Sequence, residues 1–227
     1  MILRCPSWPA QRNISIIADP PGWFTPFANS LAEKLNEAGQ SARTFDTQAD
    51  VAEGEIAFYL SCTGITSPQI LARNLWNLVV HASELPQGRG FSPLVWQILE
   101  GKNTIPLTMI TMAEDVDSGD IVMRRELVFQ GHELNDEMRN TMGQAIVDMC
   151  FDFATRSTAP TSVPQNGAPS WYPRRRLEDS ALDIDQSLAT QFNLLRVVDN
   201  NSYPAFFDLN GYRYTLSITR QLWEEDE

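Results

Sequence analysis

The stretch 74–90, NLWNLVVHASELPQGRG, decides how the chain is read. An apolar, β-branched run ends on a histidine, and a polar loop punctuated by proline and glycine follows at once. Such a run is a buried strand that carries its last side chain to the strand's carboxyl end. The chain has only two histidines, and imidazole exchanges a proton near neutral pH. His81 is therefore a candidate acid/base group; the alternative is a histidine that merely ends a strand. His132, between Gly131 and Glu133, reads as a loop residue.

Working outward, NISIIAD (13–19), ARTFD (42–46), EIAFYLSC (55–62) and IPLTMITM (105–112) read as further strands. Between them lie helices. One opens at Thr25-Pro26 with a hydroxyl at its N-cap, buries Phe27, Leu31 and Leu35, and stops at Gly39. SPQILARN (67–74) and SPLVWQILEG (92–101) are two more, and a long amphipathic helix occupies 132–156. This alternation predicts an α/β fold: a Rossmann-like, mostly parallel open sheet with helices on both faces. Ligands bind beyond the carboxyl ends of such strands. His81, the turn 62–66 and the acidic loop AEDVDSGD (113–120) are all expected there, around one crevice. Composition then shifts. STAPTSVPQNGAPSWYP (157–173) reads as an extended linker. The expected division is a catalytic domain at 1–156, the linker at 157–173, and a small α+β appendix at 174–227 with a helix and an LNGY hairpin turn.

The whole chain narrows the classes. With 227 residues, net charge −12 and 43% hydrophobic residues, it reads as a soluble globular protein with no nucleic-acid partner. It shows no secretory signal and no apolar run of membrane-spanning length. Three scattered cysteines, Cys5, Cys62 and Cys150, fit a reduced cytoplasmic protein and lack metal-ligand spacing, so no metal is expected. No dinucleotide glycine motif, phosphate-binding glycine loop or nucleophile elbow is present. A carboxylate should orient His81, and Glu114, Asp115, Asp117 and Asp120 are the candidates. PRRR (173–176) has the chemistry to hold a phosphate or pyrophosphate, but residue type alone favours a solvated patch balanced by Glu178, Asp179, Asp183 and Asp185.

LVVHASELPQGRG followed by AEDVDSGDIV resembles the folate-dependent formyltransferase superfamily, and LSCTGITSPQIL resembles its preceding strand and loop. WYPRRRLEDSALDID and NLLRVVDNNSYPAFF are similar to the region after the catalytic domain in enzymes that formylate nucleotide-linked amino sugars. The resemblance implies formyl transfer from N10-formyltetrahydrofolate to the amine of a UDP-, dTDP- or CMP-linked amino sugar, for surface-glycan synthesis, by a homodimer. It places the catalytic histidine on His81 and its aspartate on Asp117. It places the folate pocket on Thr63, Gly64, Ile65, Ala113 and Glu114, and substrate contacts on Ser83, Glu84, Arg89, Arg174 and Arg175. The family's asparagine, donor to the formyl oxygen, falls on Val79. Asn77 is the nearest carboxamide on the same strand face, about 13 Å from His81 along the strand. Glu84 replaces the family's usual leucine. The alternatives are a methionyl-tRNA formyltransferase-like enzyme and a non-catalytic folate-binding regulator.

Overall fold

The computed structural model describes residues 8–221, so Cys5 and Trp223 lie outside the described residues. The core is a six-stranded sheet in the order β2-β1-β3-β4-β6-β7. Its strands are β1 (Asn13–Ile17), β2 (Ser41–Phe45), β3 (Gly54–Tyr59), β4 (Asn74–His81), β6 (Thr104–Thr111) and β7 (Ile121–Val128). The first four are mutually parallel, whereas β6 runs antiparallel to β4 and β7 antiparallel to β6. The α/β reading thus holds, with a mostly parallel sheet ending in an antiparallel pair.

Alternation along the strands sends residues to two unequal faces. Ile14, Ile16, Ile56, Phe58 and Leu78 join one large cluster with α1 (Thr25–Glu37), α3 (Pro93–Leu99) and α4 (Asn135–Thr155). Ile17, Ala57 and Tyr59 form a smaller cluster, thinly covered by α2 (Pro68–Leu71) and neighbouring loops. Gly143 lets α4 approach α1, because a Cβ there would enter the Phe27 ring. Helix α1 starts at Thr25 itself, and the Thr25 hydroxyl accepts from the Gly22 N–H at 2.9 Å instead of capping the helix. The tight 22–25 turn claims that oxygen first.

The segment 157–173, expected as a linker, is extended but not free. Val163 and Ile121 exchange backbone hydrogen bonds of 2.7 and 2.9 Å. Further on, β8 (Trp171–Tyr172) pairs with β5 (Arg89–Gly90). This strap carries the chain across the domain to the tail, which holds α5 (Phe192–Val197) and the hairpin β9 (Ala205–Leu209) and β10 (Tyr212–Leu216).

One arginine docks the tail. Arg196, 1% exposed, donates to the Glu133 carbonyl at 3.1 Å and Asn103 Oδ1 at 2.9 Å, and pairs with Glu133 Oε2 at 3.2 Å. Burial lowers its guanidinium affinity for the proton. Burial alone would raise Glu133, but the N–H groups of Gln130 and Gly131 outweigh it and hold the carboxyl below its usual value. Asp199 is likewise lowered against its burial, by the Ser202 N–H and by Arg139, 2.7 Å away. Removing one partner of such a buried pair costs about 3–5 kcal/mol, so Arg196→Ala should loosen the tail, seen as faster amide exchange in β9 and β10. Because Glu133 and Asp199 are lowered, their contribution is present above their ordinary carboxylate values and lost as the pH falls through the lowered ones. The tail of the native protein should therefore open on acidification below about pH 4, measured by the same exchange.

Candidate active site

Strand β4 delivers His81 as its last residue, and the loop behind it turns so that Gly88 faces the ring. His81 Nε2 lies 2.8 Å from the Gly88 carbonyl oxygen, and Nδ1 lies 3.7 Å from Asp117 Oδ1. Since Gly88 offers only an acceptor there, Nε2 carries the hydrogen, and the neutral ring keeps its lone pair at Nδ1. A proton arriving at Nδ1 meets the Asp117 carboxylate. The two side chains are nearly enclosed, at 11% and 15% exposure. Asp117 adopts φ 52, and its Oδ2 accepts from the Gly90 N–H at 2.9 Å.

The acidic loop reaches this position by an unexpected route. Because β6 is antiparallel, its end at Thr111 is level with Leu78, while His81 is level with Thr108. The loop root is thus about 10 Å short of the histidine along β4, and the loop doubles back to close the gap. Gly119 makes the return possible, since a Cβ there would overlap the Thr111 carbonyl oxygen. The loop does not sit at a shared carboxyl edge, as an all-parallel sheet would place it.

The remaining expected site residues divide. Thr63, Gly64 and Ile65 lie exposed on the turn after β3, and Ala113 and Glu114 lie exposed after β6. The roots of these two loops, Cys62 and Met112, pack with Val79 in one cluster. Burial pushes the Cys62 thiol up to about 11. Asn77 is not with His81: its amide donates to the Leu71 carbonyl at 2.8 Å and the Asn74 carbonyl at 3.3 Å. It ties α2 to β4, with both hydrogens engaged. Ser83 is buried at 2% exposure beneath the loop, so it does not face a ligand cleft.

Glu84 pairs with Arg124 at 2.9 Å on the rim of a cleft of about 600 Å³ between the 84–87 loop, β7 and the strap. Arg89 donates to Gln165 Oε1 at 2.7 Å, so it serves the strap. Arg174 lies exposed over Phe91. Arg175 turns inward to the Asp179 carbonyl and Ser180 hydroxyl, each 3.0 Å away, and its burial lowers it. The basic triplet is therefore neither a uniform anion site nor a purely solvated patch.

Sequence reasoning missed the strap's own residues. Gln165 bonds to the Asp117 loop, the Ser170 hydroxyl accepts from the Gly88 N–H at 2.9 Å, and Tyr172 covers the glycine turn. Their only signal was an aromatic pair, Trp171-Tyr172, closing a proline-rich run.

With this geometry, similarity to known proteins becomes informative. The formyl transferase family model matches residues 20–148, and the chain belongs to that family. The methionyl-tRNA formyltransferase of Pelotomaculum thermopropionicum is 27% identical over 136 residues, covering 58% of this chain and 43% of that protein. The match thus spans less than half of that relative. A methionyl-tRNA formyltransferase structure from Clostridium thermocellum shares the fold with a TM-score of 0.76 at 23% identity, covering 92% of this chain and 94% of the other. A sugar N-formyltransferase from a Shewanella species gives 0.63 at 16% identity, covering 93% and 99%. The formyl donor used by the family is N10-formyltetrahydrofolate.

Val79, on which the resemblance places the family's asparagine, packs in an apolar cluster with Cys62 and Met112. An unpaired carboxamide in its apolar cluster costs about 1–3 kcal/mol. Val79→Asn should lower the denaturation midpoint accordingly and give no gain in kcat. A faster enzyme of unchanged stability would show that the site simply lacks its donor.

Proposed function

We propose that this protein is an N-formyltransferase that uses N10-formyltetrahydrofolate and formylates the amine of a nucleotide-linked amino sugar. The observation that carries the catalytic part is the enclosed His81–Asp117 pair, with Nδ1 free to take a proton and a carboxylate 3.7 Å away to support the resulting charge. Two exposed apolar side chains suit the flat ring of the donor. Ile65 is 90% and Val116 51% exposed, each on a loop rooted beside Val79. Their exposure on two neighbouring loops supports a ligand face there. Thr63, Gly64, Ile65, Ala113 and Glu114 would hold the donor there.

When bound, the donor supplies the formyl carbon that the acceptor amine attacks. His81 Nδ1 takes the proton shed by the amine nitrogen and returns it to the departing nitrogen. Asp117 stabilises the ring while it is charged, and the Gly88 carbonyl fixes its tautomer through Nε2. The closed surroundings of the pair keep bulk water from competing as nucleophile. Arg174, exposed over Phe91, and the Glu84–Arg124 pair on the rim of the neighbouring cleft are the groups available to the acceptor.

The sugar reading is supported by the acidic balance of the chain, net −12, which is unsuited to an extended nucleic-acid backbone. The second reading, formylation of methionyl-tRNA, is favoured by the Pelotomaculum relative and by the higher TM-score of the Clostridium structure. Tetrahydrofolate release, followed by absorbance, against UDP-, dTDP- and CMP-amino sugars and charged initiator tRNA separates the two. Turnover with a nucleotide sugar is expected, and turnover with tRNA alone would reverse the assignment. On the productive acceptor, His81→Asn and Asp117→Asn should each cut kcat by about 100-fold or more while leaving donor affinity nearly intact.

A homodimer through the tail is part of this proposal. Leu209, Tyr212 and Tyr214 are exposed together toward the turn end of one hairpin face. Light scattering at micromolar concentration should report twice the monomer mass, and Tyr212→Asp with Tyr214→Asp should halve it.

A further inference from the structure

The two groups at the centre of the site are each held by the segment 88–90: His81 by the Gly88 carbonyl, and Asp117 by the Gly90 N–H. That segment is in turn fixed by the strap. The Arg89 N–H donates to the Ser170 carbonyl at 2.9 Å, the Phe91 N–H to the Tyr172 carbonyl at 3.2 Å, and the Gly88 N–H to the Ser170 hydroxyl at 2.9 Å. Gly90 has φ +99, and a Cβ there would overlap the Tyr172 carbonyl oxygen, so the approach is as close as backbone allows.

One strap side chain also reaches the acidic loop. Gln165 Nε2 donates to the carbonyls of Asp117 and Gly119, both at 2.8 Å. Its Oε1 accepts from Arg89 Nη2 at 2.7 Å. Both amide hydrogens and the oxygen are used, and the surroundings fix which is which: two carbonyls on one side, a guanidinium on the other. The carbonyls held are those of the residue with the left-handed backbone and of the glycine where the loop returns. Gln165 thus fixes the part of the loop that carries the carboxylate to His81. Without that hold, the Gly90 N–H would be the remaining tie keeping Asp117 in its 3.7 Å relation to the imidazole.

We propose that Gln165 is a positioning residue for the His81–Asp117 pair, and that the strap, which lies outside the family-matched segment 20–148, is a working part of the site. Gln165 touches neither reacting atom; it acts by holding the Asp117 backbone in its left-handed turn and by tying that turn, through Arg89, to the segment that holds His81. The inference rests on the formyl-transfer reading only for its kinetic consequence.

The test uses the full chain and a signal independent of the acceptor. With only two histidines, the imidazole nitrogens of His81 and His132 can be followed individually by long-range proton–nitrogen NMR. Asp117→Asn sets the reference change at His81. In Gln165→Ala, the His81 ring signals should move in the same direction while those of His132 stay unmoved. In Gln165→Glu, where a carboxylate oxygen would face two carbonyls, the same displacement is expected. Unmoved His81 signals in either folded variant would overturn the proposal. Circular dichroism identifies a variant that has failed to fold, in which case the other decides. With a productive acceptor, kcat should fall about 10- to 100-fold, as for a misplacement of order 1 Å, with little change in the donor KM. Unchanged kcat and an unchanged pH profile would also overturn it. If wild-type protein turns over no acceptor, the functional reading fails, while the NMR result still decides the role of Gln165.

Discussion

The antiparallel pairing of β4 with β6 is the constraint on which the site depends. It buries Ile110 and Thr108 beside Val79 and His81 and extends the sheet by two strands. It also leaves the acidic loop rooted level with Leu78, short of the histidine it serves. Much of the local irregularity answers that mismatch. Gly119 permits the tight return against Thr111, the Asp120 N–H caps the Thr111 hydroxyl at 3.0 Å, and Asp117 takes a left-handed backbone so that its carboxylate points to Gly90 and His81. A non-glycine residue in that region stores about 1–3 kcal/mol of strain, and the hydrogen bonds from Gln165 and Gly90 offset it.

Most of the sheet was legible because its strands are β-branched and bounded by proline or glycine. Asn13–Ile17 and Thr104–Thr111 declare themselves through residue type alone. What was not legible was β7, since Ile121–Val128 was not read as a strand, and strand direction: IPLTMITM reads the same whether it pairs parallel or antiparallel, and only its neighbours decide. His81 and Asp117 were found because proton chemistry and the family resemblance name their residue types, and the geometry brings them together. Glu84 and Arg89 were also named, but the sequence could not reveal that Arg124 and Gln165 would engage them. Long-range partners of this kind carry no local pattern.

The segment 157–173 shows the limit of composition most clearly. Proline, serine and threonine prevent helix formation, and the segment is indeed extended. Extension, however, also exposes every backbone N–H and C=O, and Val163, Ser170 and Tyr172 use theirs to bind β5 and β7 edges. The same proline content that suggests a spacer lowers the entropy lost when the strap is fastened. A linker and a strap are compositionally alike; what separates them is whether a partner edge lies within reach.

This arrangement bears on how acceptor choice can vary while the chemistry stays constant. The imidazole–carboxylate pair belongs to the family-matched segment, but one wall of the cleft rimmed by Glu84 and Arg124, including Thr161, Val163 and Asn166, is strap. Gln165 lies between two of those wall residues and points the other way, to Asp117. If this cleft receives the acceptor, as proposed, substitutions at its wall would reshape that space without touching His81 or Asp117, provided the backbone of 163–166 keeps its place. If the backbone shifts, the Asp117 loop shifts with it. On the proposed function, acceptor range and catalytic geometry are separable at side chains and joined at the main chain, so tolerance to change is expected at Thr161 and Asn166 and intolerance at Gln165.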